Sequence, residues 1–133
     1  MFANFFSKKI SSLRKLDKNS YLCTYKTMRI INISSLPLMK GFYAINICGI
    51  VFARTKLNKT EQRHEYIHTL QQREMLYVPF YIWYIVEWII KLIIYRDALT
   101  AYRNIGFEKE AYRHQGDASY IGKRKRYAWF KTR

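Results

Sequence analysis

The chain has 133 residues, with 24 Lys and Arg against 9 Asp and Glu for a net charge of +15, and half of its residues are apolar. This apolar content excludes a disordered basic tail, and the length corresponds to a single domain. With only 5 Gly and 2 Pro, the sequence is neither collagen-like nor a linker. The charge indicates an anionic partner, either nucleic acid or acidic lipid.

Residues 1–35 form a basic N-terminal segment of uncertain structure, apart from a short β-like run at 27–34. The start of the chain lacks the continuous apolar stretch and the small-residue cleavage site of a signal peptide, so export by that route is not expected. Cys23 and Cys48 are too few for a disulfide framework. They are interpreted as small buried side chains in a reducing compartment.

A second β-like run, residues 41–54, is rich in β-branched and aromatic residues and is broken by Gly49. It predicts one long bulged strand or a tight hairpin. Asn58 and Glu61 then have the spacing of a capping box, so a helix is expected to begin near residue 59. An interruption is expected near Val78–Pro79, because proline disfavours helical geometry in the preceding residue and suits the first turn of a second helix.

The second helix covers the most hydrophobic part of the chain, residues 77–95. Its length is close to the ~20 residues that span a membrane. Two features oppose a span: Glu87 and Lys91 have the spacing of a helical ion pair, and the aromatic residues are spread along the segment. A buried helix or one embedded in a membrane surface is therefore favoured. A further helix is expected from Phe107 to His114.

The most informative motif is His64-Glu65-Tyr66-Ile67-His68. Histidines four residues apart share one face of a helix and can bind one metal ion. We expect zinc, which binds neutral imidazole and lowers the pKa of a bound water to roughly 7. Glu65 is placed to take a proton from that water. Given three His and six Glu in the chain, about 0.003 such pentapeptides are expected by chance.

This motif continues as Thr69-Leu70-Gln71-Gln72, and Glu108-Lys109-Glu110-Ala111-Tyr112 follows later. Together they resemble the gluzincin branch of the HExxH zinc metallopeptidases, particularly small bacterial members with two glutamines after the motif. The resemblance implies an edge strand along the substrate cleft and a second helix that supplies a Glu as third ligand. It favours Glu108 for that role, with Glu110 as the rival. Tyr112 stands where the family usually has an Asp that supports a metal-binding His.

A single membrane crossing by residues 77–95 would place Glu108 on the opposite side from His64 and His68. A complete three-ligand site therefore argues against a simple span. It is compatible with a helix that packs under the site or with one that is embedded in one leaflet.

Three further residues are candidates for support of the site or of a transition state. Gln71 either orients the site or bonds to the neighbouring strand. Tyr112, like Tyr102 and Tyr120, can donate a hydrogen bond to a tetrahedral intermediate. His114 either stabilises an oxyanion or forms a solvated helix end, where a cation is favourable.

The basic aromatic tail, residues 116–133, suits an anionic membrane surface better than nucleic acid, because the most hydrophobic helix lies in the same chain. The residues expected at such a surface are Lys123, Arg124, Lys125, Arg126 and Trp129.

The sequence as a whole predicts one α+β domain, residues 1–133, with a zincin-like core at 42–115. A short antiparallel sheet or hairpin is followed by the HExxH helix, a hydrophobic helix and a Glu-bearing helix. The predicted function is peptide hydrolysis with one Zn²⁺ and an unidentified peptide or protein substrate. The alternative is a catalytically silent zinc-binding structural or membrane-associated module. Either protein is expected in the cytoplasm or at the cytoplasmic face of the membrane.

Overall fold

The computed structural model describes residues 28–35 and 42–132, and its architecture confirms the α+β prediction. Within these residues, three short strands precede five α-helices and a final 3-10 helix. The elements in chain order are β1 (Arg29–Asn32), β2 (Ala44–Ile47), β3 (Ile50–Ala53), α1 (Lys59–Glu74), α2 (Val78–Tyr95), α3 (Ala98–Arg103), α4 (Gly106–His114), α5 (Tyr120–Lys123) and the 3-10 helix (Ala128–Thr132).

The three described strands form a mixed sheet with the order β1-β3-β2. Strands β2 and β3 are antiparallel and form the tight hairpin that was one of the two predicted arrangements for residues 41–54. The described sheet is not wholly antiparallel, because β1 pairs with β3 in parallel. Within the described part of the chain, β2 is therefore an edge strand.

The hairpin turn consists of Cys48 and Gly49, with φ angles of +52° and +81°. Positive φ at both turn residues gives the backbone twist that matches two antiparallel strands. Glycine also allows a close approach to α1, since a Cβ on Gly49 would lie 3.3 Å from Thr69 Cγ2. Cys48 is exposed in this turn, so its interpretation as a buried side chain is wrong. Cys23 lies outside the described residues.

The predicted start of α1 is confirmed. Asn58 Oδ1 accepts hydrogen bonds from the backbone N–H groups of Thr60 and Glu61, both at 2.9 Å. Glu61 Oε2 accepts from the Asn58 N–H at 2.7 Å, which completes the capping box. This cap fixes where α1 begins, and it thereby fixes the helix face on which His64 and His68 lie.

Helix α1 ends before a sharp turn at Leu76 and Tyr77, which have φ angles of +55° and +63°. The Tyr77 N–H donates to the Gln72 carbonyl at 2.8 Å. Pro79 lies in the first turn of α2, as predicted. The turn separates the largely polar α1 from the apolar α2.

After Tyr95, at the end of α2, the chain reverses its direction and runs back beside this helix. Arg96 has a left-handed conformation, with φ +55°, and Asp97 caps α3 by accepting from the Thr100 N–H at 2.7 Å. Helix α3 packs back against α2. The Gly106 N–H donates to Glu87 Oε1 at 3.2 Å, so α4 begins beside the middle of α2. This return brings Glu108 to the same side as α1.

The basic aromatic tail is partly folded into the domain. Trp129 packs with Phe80, Ile105 and Phe107 in a buried cluster and is 3% exposed. The side chain of Arg124 is also only 3% exposed, so neither the Arg124 guanidinium nor Trp129 lies at the surface where a membrane contact was expected. The physical reason is that an aromatic ring completes the core and a guanidinium neutralises buried carboxylates. Lys123, Lys125 and Arg126 are exposed.

Candidate metal centre

Helices α1 and α4 bring together the three residues that the motif and the resemblance singled out. His64 and His68 approach each other through their Nε2 atoms at 3.0 Å. His64 Nε2 lies 3.3 Å from Glu108 Oε2, and His68 Nε2 lies 3.1 Å from Glu108 Oε1. The three side chains are buried and form a group that can hold a metal ion.

The spacing of these atoms suits a single cation. Ligand atoms in a tetrahedral site with bonds of roughly 2.0–2.1 Å are separated by roughly 3.3 Å. The two Nε2 atoms are 3.0 Å apart, and each lies 3.1 or 3.3 Å from a different oxygen of Glu108. Glu108 Oε2 is also a buried oxygen without a hydrogen bond in the described residues. A buried acceptor of this kind needs an explanation, and a bound cation supplies one.

The Nδ1 atom of each imidazole ring lies within hydrogen-bond distance of a glutamine side chain. His68 Nδ1 lies 2.8 Å from Gln71 Oε1, and His64 Nδ1 lies 3.1 Å from Gln115 Oε1. Arg63 donates to the Gln115 carbonyl and so fixes that residue against α1. An amide oxygen at Nδ1 selects the tautomer that has its proton there, and Nε2 then remains free for a metal.

Gln71 is itself fixed by α4, which determines the direction of its amide. Its Nε2 donates to the Phe107 carbonyl at 3.1 Å and to Glu110 Oε2 at 3.0 Å. Both partners accept only, so the other end of the amide must be the oxygen that faces His68. Of the two roles considered for Gln71, orientation of the site is therefore the one seen. The neighbouring Gln72 bonds to β2 instead, through the Asn46 carbonyl at 3.0 Å.

Glu110, the rival third ligand, is not part of the metal group. Its carboxylate accepts from Arg124 Nε at 2.5 Å and from the Tyr120 hydroxyl at 2.9 Å. Arg124 also pairs with Glu74, at the end of α1. Because Glu110 also accepts from Gln71, it contacts the residue that bonds to His68.

The buried charges of the group stabilise one another. Burial disfavours the charged form of His68, but the negative charge of Glu108 and its hydrogen bond outweigh this effect and raise the pKa of His68 to about 9. Burial likewise opposes ionisation of Glu108, yet His68 and His64 hold the pKa of its carboxyl well below the usual value. Without metal the group is thus an imidazolium–carboxylate pair, in which a cation can replace the Nε2 proton.

Glu65 lines the same cavity as His68 and Glu108. Burial raises the pKa of its carboxyl above the usual value, against the opposing charges of His68 and His64. A raised pKa is typical of a carboxylate that accepts and later returns a proton. Its backbone carbonyl accepts from Asn46 Nδ2 at 2.7 Å, which ties this part of α1 to β2.

Two cavities flank the group, with volumes of about 320 and 230 Å³. The larger one is mostly apolar and includes Tyr81, Tyr84 and Trp88 from α2. The smaller one includes His64 and Gln115. Four residues line both cavities, namely Phe42, Ala44, Glu65 and Tyr102. The edge strand β2 begins at this junction, so space on both sides of the metal group adjoins a strand edge.

The tyrosines and His114 differ in where they lie. Tyr112 packs edge-on against the His64 ring, with centroids 4.6 Å apart. Tyr102 lines both cavities, and burial raises its pKa well above the usual value. Tyr120 is bonded to Glu110, and His114 stacks on Tyr120 at 3.7 Å. Tyr102 and Tyr112 are thus near the metal group, whereas His114 and Tyr120 belong to the Glu110 side of α4.

Sequence reasoning missed two residues of the site. Gln115 lies seven residues after Glu108, which places both on one face of α4, and that spacing was a usable signal. Tyr84 donates from its hydroxyl to Glu108 Oε1 at 2.7 Å. No spacing in a chain with 12 tyrosines distinguishes Tyr84, because the contact depends on the return of the chain along α2.

Comparisons of the chain with protein-family models, with curated proteins and with solved structures found no match.

Proposed function

We propose that this protein is a zinc-dependent metallopeptidase-like hydrolase. The observation that carries the proposal is the convergence of His64 Nε2, His68 Nε2 and the Glu108 carboxylate within 3.3 Å of one another, with Glu65 in the adjoining cavity. Two imidazoles and one carboxylate are a ligand set of catalytic zinc sites, which keep a further position for water or substrate.

When bound at these residues, zinc would supply a water of lowered pKa and polarise a substrate carbonyl. Glu65 would accept the proton of that water and deliver it to the leaving amine, which its raised pKa favours. Tyr102, protonated and exposed to both cavities, is the candidate donor to the developing oxyanion. Tyr84 and the Gln71–Glu110 pair hold two of the three ligands in position.

A peptide substrate has a suitable place beside β2. An extended peptide can add to the edge of a sheet through main-chain hydrogen bonds, with its side chains in neighbouring pockets. The two cavities lie on either side of Glu65 at the start of this strand. This arrangement favours peptide hydrolysis over hydrolysis of a small molecule that would need one closed pocket.

The test combines metal analysis with a mixture of internally quenched peptides. We expect the purified protein to bind one zinc ion per chain and to cleave some of these peptides. Glu65→Gln should retain zinc and lose roughly 10²–10⁴-fold in rate, which is the usual contribution of a general base. His64→Ala should lose zinc. Loss of activity with retained zinc in Glu65→Gln distinguishes a catalytic base from a ligand.

Two results would contradict the proposal. A protein without stoichiometric zinc, in which His64→Ala changes neither metal content nor stability, has no metal centre. A protein that holds zinc through His64, His68 and Glu108 but cleaves none of the peptides is the catalytically silent zinc-binding module.

A further inference from the structure

Helix α2 is exposed along an entire half of its circumference. It is the one described helix with the length and composition to cross a membrane, yet only 11% of it is buried. At 3.6 residues per turn, ten of its eleven exposed residues cover an arc of about 180°, and Tyr95 in the last turn lies outside this arc. We name this arc the outer face; it consists of Val78, Pro79, Ile82, Trp83, Ile85, Val86, Ile89, Ile90, Ile93 and Ile94.

The polar groups of α2 point the other way. Glu87 is 4% exposed and accepts from the Gly106 N–H. Tyr84 donates to Glu108, and Trp88 Nε1 lies 3.4 Å from the Ala98 carbonyl. A helix on the surface of a water-soluble protein has its apolar residues inside and its polar residues outside. Helix α2 instead presents apolar residues on its outer side, while its inner side carries Glu87 together with core aromatic residues such as Phe80.

We infer that the outer face of α2 is embedded in one leaflet of an anionic lipid bilayer. Its six isoleucines and two valines offer no hydrogen-bonding group, and Trp83 supplies the one polar atom. An interface with another protein has a polar rim and is enriched in aromatic residues, Met and Arg. A face of this length that is aliphatic except for Trp83 matches hydrocarbon chains, which have no polar group to satisfy.

The charge of the protein supports a lipid surface with negative headgroups. The net charge is +15, and exposed arginines lie in the last turn of the preceding helix α1, at Arg73, and directly after α2, at Arg96. Exposed basic residues near a bilayer are attracted to anionic lipid and add to the binding that apolar burial provides. The exposed Lys125 and Arg126 add to the positive electrostatic potential of the protein.

The helix is placed in the plane of the membrane and does not cross it. Helix α3 covers the inner half of α2 and presents the exposed residues Thr100 and Arg103 to solvent. A crossing would surround these polar residues with hydrocarbon, at a high cost for the arginine. Lying flat, the 18 residues of α2 place an apolar strip of about 27 Å in the leaflet to a depth of roughly 5–10 Å.

This placement keeps the metal group accessible from water. Tyr84 reaches Glu108 from the inner half of α2, so the group lies on the side of the helix that faces away from lipid. The membrane contact involves none of the three ligands and holds whether or not the protein is a hydrolase.

The test is sedimentation of the full-length protein with vesicles of phosphatidylcholine that contain about a third phosphatidylglycerol, a composition that supplies the anionic surface. Ile89→Glu, at a site 46% exposed, is compared with the control Ile31→Glu on β1, at a site 43% exposed. We expect the wild type and the control to bind equally, and Ile89→Glu to lower the partition coefficient roughly tenfold. The double change Ile85→Glu with Ile89→Glu should lower it roughly a hundredfold.

A second measurement locates the outer face directly. Trp83 fluorescence should be quenched by phosphatidylcholine brominated on its acyl chains, and the difference between wild type and Trp83→Phe isolates this signal. Three results would overturn the inference: no vesicle binding by the wild type, equal binding by Ile89→Glu, or a lipid-independent dimer that Ile89→Glu converts to a monomer. The last result would assign the face to a second copy of the chain.

Discussion

Helices α1 and α2 are adjacent in the chain and opposite in how they use burial. Helix α1 buries a largely polar set, namely His64, Tyr66, Ile67, His68, Thr69, Gln71 and Gln72. Helix α2 is far more apolar and buries only Phe80 and Glu87. In these two helices, hydropathy alone therefore does not decide which side chains lie inside. The buried polar side chains of α1 have hydrogen-bond partners in or beside the site.

The polar interior of α1 is tolerable because its groups are paired. His68, Gln71 and Glu110 form a continuous chain of hydrogen bonds, and Arg124 closes it onto Glu74. Leaving a single buried member without its partner costs roughly 1–3 kcal/mol, and more for a charge. The aliphatic outer face of α2 has no comparable requirement for partners within the protein. The two helices therefore predict different responses to substitution.

The largest effect is expected at Arg124, whose side chain is 3% exposed between Glu74 and Glu110. Arg124→Met leaves two carboxylates without their cation and should lower the free energy of unfolding by about 3–5 kcal/mol. Denaturant unfolding in guanidinium chloride measures this loss. The control is Arg126→Met, two residues away and exposed, for which a change within about 0.5 kcal/mol is expected. Equal midpoints for the two variants would contradict a stabilising role for the buried network.

The next effect separates the two adjacent glutamines of α1. Gln71→Ala removes the acceptor for His68 Nδ1 and should lower zinc affinity roughly 10–100-fold. Gln72→Ala removes hydrogen bonds to Asn46 and Gly49 in the hairpin and should leave zinc affinity unchanged. Competition with a chromophoric chelator measures both affinities. A similar loss in both variants would mean that general loosening of α1, and not the orientation of His68, controls the metal.

Much of the fold followed from local signals in the sequence. The capping residues Asn58 and Glu61 placed the start of α1, and Pro79 placed the start of α2. Gly49 indicated either a bulged strand or a hairpin, and the structure shows the hairpin. The parallel addition of β1 was not predicted, because it depends on a pairing between distant segments. Local rules predict the boundaries of elements, whereas tertiary contacts decide how the elements associate.

The candidate site, like the fold, was predictable in part. The spacing of His64 and His68 is a property of one helix, so the sequence was sufficient for it. Glu108 was favoured over Glu110 only by resemblance, and the structure separates them because Arg124 draws Glu110 away. The tail seemed a surface element because it is basic. It is partly interior because buried carboxylates on α1 and α4 need a cation, and that need is visible only once both helices are placed.

A smaller effect is expected from Tyr84, the inner-face residue of α2 that contacts the metal group. Tyr84→Phe keeps the ring stacked on Phe107 and removes the hydrogen bond to Glu108 Oε1. Zinc affinity should fall about tenfold, at the lower end of the range for groups that orient a ligand. Tyr81→Phe is the control, because its hydroxyl accepts from the Cys48 N–H in the hairpin turn. Equal affinities for wild type and Tyr84→Phe would leave α2 without influence on the metal.

The smallest effect tests the outer face of α2 in the absence of lipid. Ile93 is 71% exposed, so Ile93→Ala should change the free energy of unfolding by less than about 0.5 kcal/mol. Phe107→Ala, in the buried cluster, should cost about 3–5 kcal/mol in the same guanidinium titration. A loss at Ile93 of the size expected in a core would mean that another part of the chain or a second copy covers the outer face in water. Both helices would then be buried, and they would differ only in what covers them: α1 is covered by its own domain, and α2 by another part of the chain or by a second copy.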